Sequence, residues 1–265
     1  MSTTYLSDDF MELVKACTDH AEKNQMLAWL YDEDRWPSGA AGGLVTKNDE
    51  FRQRMLRFTR TPYSGEVKDV IMFSENSTGR TEEGSFITAF DIIFDEGGYI
   101  KEYTRIPFDG EAKGKKWYAY LDYAPKTSWF NNQSYIDTMN KEAMDKLIEV
   151  TYETYLKTVG DAFDKTVPSI FTDEPQFTRK GTLAFAESKS NVPLPWTDDL
   201  EDTFKAAYGD SLVDHLPELL WDLPDGQVSL TRYHYHDHVS ERFAEAFADT
   251  CGKWCDDHGI ALTGH

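Results

Sequence analysis

The feature that most constrains this chain is a repeated local order. A helical stretch is followed by a short, wholly apolar run, and that run by a loop dense in acids, proline or glycine. Near the start, Ser7 is placed to cap a helix in which Phe10, Leu13, Val14 and Cys17 recur at helical spacing, ending near Asn24. Residues 26–31 then read as a fully buried strand, and the loop 32–43 follows. The order returns with a helix from 140 to about 158, carrying Met144, Leu147, Ile148, Thr151, Tyr152 and Tyr155 along one face. A buried strand over 167–171 and the loop 172–177 complete that unit. A long helix over 229–258 leads into another apolar strand beginning at Ile260. Parallel strands covered on both faces read as continuous apolar runs, so this order predicts β/α units.

Two excursions interrupt the pattern. Residues 67–73, 86–94, 99–106 and 116–123 are β-rich, and Glu96-Gly97-Gly98 signals a hairpin turn. From about 178 to 227 the chain is looser, broken by Pro193, Pro195, Pro217 and Pro224. The organisation expected is a first set of β/α units over 1–65 and an inserted β-rich excursion over 66–123. Further barrel units then fill 124–265, with a proline-rich helical excursion at about 178–227. Only about four barrel strands are counted, against eight in a complete barrel. The fold class expected is therefore α/β: a partial (β/α)8 TIM-type barrel with an inserted antiparallel β excursion. Open strand edges in such a portion lead us to expect self-association.

Charge narrows the partners. Acidic residues number 47 against 27 basic ones, a formal net charge of −20. That field repels phosphate backbones and anionic membrane surfaces, so neither nucleic acid nor membrane is expected as a partner. A neutral ligand such as a carbohydrate is unaffected, and the aromatic share of 14% suits a cleft that stacks sugar rings. No window approaches the roughly 18 apolar residues of a membrane span. The first residues lack the basic start and apolar core of a signal peptide, so a native start implies the cytoplasm. Cys17, Cys251 and Cys255 are too few for a disulfide framework, and the last two read as buried structural thiols. The glycine-rich phosphate loops and the serine-hydrolase elbow are absent from the sequence, which weighs against phosphoryl transfer, dinucleotide chemistry and serine hydrolysis.

Glu174 is the candidate catalytic residue. It lies just past the end of a buried strand, where barrel enzymes place their chemistry, and Pro175 is expected to hold it extended. An acidic turn capping a following helix is the alternative. Tyr31, Asp32, Glu33, Asp34, Arg35 and Trp36 form a candidate binding wall, with acids for hydroxyls and a tryptophan for stacking. A solvated loop with an internal Arg–Asp pair is the plainer reading. The three acids lack the alternating ligand spacing of a calcium loop, so no metal ligand is assigned. Trp129 and Asn131 would add an aromatic and an amide. His234 and His238 have zinc-compatible spacing but read as a solvated helical face.

Three blocks go further. Trp29-Leu30-Tyr31-Asp32-Glu33-Asp34-Arg35-Trp36-Pro37-Ser38-Gly39, Phe171-Thr172-Asp173-Glu174-Pro175 and Leu262-Thr263-Gly264-His265 resemble large bacterial glycoside hydrolases with a (β/α)8 catalytic domain. That group includes the α-L-rhamnosidases of family 106. Tyr135-Ile136-Asp137 and Trp254-Cys255 are also similar. The resemblance implies a glycosidase using two carboxylic acids, with Glu174 as proton donor and the loop 32–36 as sugar-binding wall. Asp173 and His265, in the matching blocks, join the substrate-binding set. It also implies a longer enzyme whose second carboxylate lies elsewhere, so that the isolated chain is expected to be inactive. No cofactor is required; related rhamnosidases can use calcium, whose ligands are not assigned here. A non-catalytic carbohydrate-binding or assembly module derived from such a barrel is the alternative.

Overall fold

The computed structural model describes residues 3–64 and 81–265. In chain order the elements are α1 (Asp8–Lys23), β1 (Leu30–Tyr31), β2 (Arg54–Thr59), β3 (Ser85–Phe94), β4 (Ile100–Ile106) and β5 (Lys115–Tyr123). They continue with α2 (Lys141–Leu147), α3 (Glu153–Val159), β6 (Ser169–Thr172) and β7 (Val192–Trp196). The remainder are α4 (Leu200–Tyr208), α5 (Leu230–Phe243), α6 (Thr250–Asp257) and β8 (Ala261–Gly264). The fold is mixed α/β, with one parallel and one antiparallel sheet, and the chain divides into two compact units.

The first unit comprises the residues up to Gln53, Lys126–Phe177 and Arg242–His265. Its sheet is parallel, in the order β1-β6-β8. Helix α1 begins as expected, with the Ser7 side chain accepting from the Phe10 amide, and ends at Asn24. Asn140 caps α2 in the same way, and a π turn over Ile148–Tyr152 joins α2 to α3. Met144, Leu147, Tyr152 and Tyr155 are buried with Leu30 and Ile170 in one core. Cys251 and Cys255 sit in that core too, and burial pushes the Cys255 thiol up to about 12, which keeps it inert.

The second unit comprises Arg54–Pro125 and Thr178–Glu241. Its sheet runs β4-β3-β5-β2-β7, all antiparallel. Strands β3, β4 and β5 match the expected β-rich runs, and the hairpin turn closes with the Gly98 amide on the Asp95 carbonyl. Phe58 of β2 stacks on Trp117 of β5 with ring centroids 5.3 Å apart, at the centre of the core. The strand expected over 67–73 lies outside the described residues.

Several expectations need correction. Residues 26–31 do not form one buried strand: only Leu30 and Tyr31 pair, while Met26, Leu27 and Trp29 are 60%, 61% and 54% exposed. Among the described residues β1 is a sheet edge, so the apolar run meets a neighbouring strand on one side only. Pro193 and Pro195 do not break the second excursion; they lie within β7. Proline is tolerated there because, among the described residues, β7 is an edge strand bonded to β2. β2 itself was not foreseen. The histidines do not form a solvated face either. His238 is buried with Nε2 2.9 Å from Thr203 Oγ1, and His234 stacks on Tyr208.

No helix among the described residues is long and apolar enough to cross a membrane. The outer sides of β1 and β8 carry no strand among the described residues, and the exposed Met26–Trp29 stretch adjoins the β1 edge. Such edges are templates for further pairing. Light scattering on the purified chain is expected to show a mean mass rising with concentration. A constant monomer mass across the series would show that these edges are closed to pairing.

Candidate functional site

The parallel register sets the site. Leu30 pairs with Ile170, Tyr31 with Phe171, Phe171 with Thr263 and Thr172 with Gly264. The residues that follow each strand therefore emerge at one end of the sheet: Asp32–Trp36 after β1, Asp173 and Glu174 after β6, and His265 after β8. Gly264 is required at this end. A Cβ there would lie 1.9 Å from the Thr172 carbonyl oxygen, inside any allowed contact.

Strand alternation splits the acidic triplet. Leu30 and Asp32 point inward, Tyr31 and Glu33 outward, so Asp32 has no exposed surface at all. Its Oδ1 accepts from Ser38 Oγ at 2.6 Å and its Oδ2 from the Tyr152 hydroxyl at 2.8 Å. Asp32 cannot touch a sugar, contrary to expectation; it holds the wall together from behind. Ser38 carries this order onward. Its Oγ accepts from the Asp173 amide at 2.8 Å, its own amide donates to the Asp173 carbonyl at 2.9 Å, and its carbonyl accepts from the Tyr135 hydroxyl. The turn bearing Asp173 and Glu174 is thus tied to the loop after β1 through one serine.

The front of the wall is aromatic. Trp36 and Trp129 are 43% and 39% exposed. Trp36 Nε1 donates to Glu174 Oε2 at 3.2 Å, and Trp129 Nε1 donates to the Trp36 carbonyl at 2.7 Å. Arg35 lies over the Trp129 ring, 5.4 Å from its centroid, and 4.0 Å from Asp34. Asn131 Nδ2 donates to Asp34 Oδ2 at 2.9 Å and to the Gly42 carbonyl at 3.1 Å. Tyr31 stacks on Phe171, and its hydroxyl donates to Asp173 Oδ2 at 2.5 Å. Asp173 Oδ1 lies 3.1 Å from His265 Nδ1.

Glu174 is exposed, and its backbone is not extended as expected: φ is +46°. Proline at the next position disfavours the right-handed helical region, and here the chain takes a left-handed turn instead. Such a conformation in a non-glycine residue is strained and persists only where the surroundings hold it. The Ser38 bonds to Asp173 before it, the Gln176 amide donating to the Tyr135 hydroxyl after it and the Trp36 bond to its own side chain supply that restraint.

No family model matches the chain, and no curated protein matches it. Among solved structures it is similar to a rhamnosidase from Novosphingobium sp. PP1Y, at 14% identity with a TM-score of 0.40 over 68% of this chain. The chain spans 17% of that protein's length.

The electrostatics favour retained protons. Burial pushes Asp32 up to about 6 despite the bonds from Ser38 and Tyr152. Glu33 is pushed up to about 7, first by burial and then by the charges of Asp173, Asp32 and Asp34. Burial and the bond to Asp173 raise the Tyr31 phenol well above its ordinary value.

Asp173, Glu174 and His265 bring three potential ligand atoms within 4.8 Å of one another. A calcium ion fits this set poorly. Calcium takes six to eight oxygens, whereas this set includes an imidazole, and both Asp173 oxygens are engaged by Tyr31 and His265. The histidines of α5 do not enter a ligand cluster among the described residues.

Ser38, Tyr135 and Tyr152 were not foreseen as part of the site. Tyr152 was legible only as one member of an apolar helical face. Ser38 had a weak signal, a small polar residue inside the Pro- and Gly-rich loop after β1.

Proposed function

We propose that this chain carries the sugar-binding wall and one catalytic carboxylate of a glycoside hydrolase, on a portion of a (β/α)8 barrel. The observation that carries this reading is the bond between Trp36 and Glu174. An exposed indole is a platform for the apolar face of a pyranose, and here its N–H is tied to a carboxylate at the C-terminal end of parallel strands. A sugar stacked on Trp36 would have a carboxylate at its edge, where a glycosidic oxygen can be protonated. The resemblance of the blocks around Trp36 and Glu174 to family 106 α-L-rhamnosidases supports the same class and makes α-L-rhamnosides the first substrates to test. A cofactor is not needed for this chemistry.

A second reading is a carbohydrate-binding module without turnover. The open, three-stranded parallel sheet favours it, since it leaves the second carboxylate of a glycosidase unassigned. Both readings require the platform. Calorimetric titration with neutral oligosaccharides, including rhamnosides, tests them together: Trp36→Ala is expected to weaken binding by about 1–3 kcal/mol. Unchanged affinity in a folded variant would remove Trp36 from the binding surface and overturn both readings.

A further inference from the structure

Five carboxyl groups crowd the loop ends after β1 and β6: Asp32, Glu33, Asp34, Asp173 and Glu174. Four of them have protein partners. Asp32 accepts from Ser38 and Tyr152, Asp34 from Asn131, Asp173 from Tyr31 beside His265, and Glu174 from Trp36. Glu33 differs. Its Oε2 is buried without a hydrogen-bond partner, which leaves Oε1 as the oxygen that reaches solvent.

An ionised carboxylate shares its charge between both oxygens, so a buried, unpartnered oxygen then bears a heavy desolvation cost. A neutral acid avoids this. The buried oxygen becomes the carbonyl oxygen, and the proton sits on the outward one. The neighbouring charges act in the same direction, since Asp32 and Asp34 flank Glu33 on its own loop and Asp173 approaches from the loop after β6. The remaining charged groups of the wall are Arg35, which faces Asp34 and Trp129, with Glu174 and His265.

The donor inventory of the wall gives this proton a use. Trp36 Nε1, Trp129 Nε1, Tyr31 Oη and Asn131 Nδ2 all donate within the protein, which leaves the Arg35 guanidinium over Trp129 as another donor toward a ligand. Asp34 and Asp173, when ionised, can only accept, and Glu174 as general acid serves the glycosidic oxygen. Sugar hydroxyls can be satisfied by acceptors, but a ring oxygen carries no proton and needs a donor. We propose that Glu33 is a specificity-determining residue of this site, a neutral acid whose Oε1–H donates to a ring oxygen of the bound sugar. The proposal rests on the glycan-binding reading of the Trp36 platform and adds to it a pH-dependent affinity.

Carbon-13 NMR of the full chain, labelled at glutamate side-chain carboxyls, tests the proton directly, with the Glu33 signal assigned by its loss in Glu33→Gln. The Glu33 carboxyl is expected to titrate near pH 7, about where its surroundings place it. Titration below about pH 5, in the ordinary carboxyl range, overturns the proposal. Calorimetry with neutral oligosaccharides tests the use of the proton. Wild-type affinity is expected to fall about tenfold between about pH 6 and 8, as the protonated fraction falls. Glu33→Gln keeps a donor and is expected to hold its affinity at both values; a loss of tenfold or more near pH 6 overturns the donor role. Wild-type protein that binds no glycan at either pH defeats the platform reading instead, while the carbon-13 titration still decides the state of Glu33.

Discussion

Glu174→Gln is expected to cut glycoside turnover by at least about 100-fold in an active polypeptide containing these residues, the usual scale of general acid catalysis. The change keeps the size of the side chain and removes its transferable proton. The variant should fold normally, because Glu174 is exposed and its side-chain bond from Trp36 Nε1 can be accepted by an amide oxygen. The substrate dependence identifies the role. A poor leaving group needs a proton as the C–O bond breaks, whereas a nitrophenolate departs with little help. Initial rates on an alkyl and a nitrophenyl glycoside of the same sugar are therefore expected to diverge, with the alkyl substrate losing far more. Small, equal losses on both would take Glu174 out of the acid role and favour the binding-module reading.

Asp32→Ala is expected to destabilise the first unit by on the order of 3 kcal/mol at about pH 5, without any direct contact with ligand. It removes the acceptor for both Ser38 Oγ and the Tyr152 hydroxyl and leaves two buried hydroxyls to be satisfied elsewhere. The pH dependence has a definite sign. The folded protein holds Asp32 at about 6, above its ordinary value of 3.8, so the native state favours the protonated acid. The stability this contributes is fully present below about pH 4 and is lost as pH rises through about 6. Alanine has no such dependence, so the gap between wild type and variant should narrow from about pH 5 to about pH 8. Urea denaturation at the two pH values measures this. A gap that widens with pH would mean that Asp32 is stabilised as the anion, and its assignment as a buried acid would fail.

Much of the local architecture can be read without coordinates. Ser7 and the spacing of Phe10, Val14 and Cys17 specify α1, Asn140 marks the start of α2, and the turn at Gly98 closes the β3–β4 hairpin. These features depend on neighbours a few residues away, so composition and spacing suffice. The same holds for the apolar run ending in β6 and for the acidic turn after it, which made Glu174 a candidate before any strand was paired.

What the local pattern could not decide was which partners each residue would meet. Val192–Trp196, with two prolines, is a strand because β2 offers it an edge, and that pairing joins residues 134 or more positions apart in the chain. Met26, Leu27 and Trp29 resemble core residues by type but stay exposed, because nothing among the described residues covers that side of β1. The acidic triplet shows the same division most sharply. Its composition marked a polar wall, yet the inward turn of Asp32 and the hydroxyl of Tyr152, 120 residues later, made one acid structural and left the next facing out. A carboxylate's role follows from how much water it loses and which donors replace that water, and those donors arrive only when distant segments pack together.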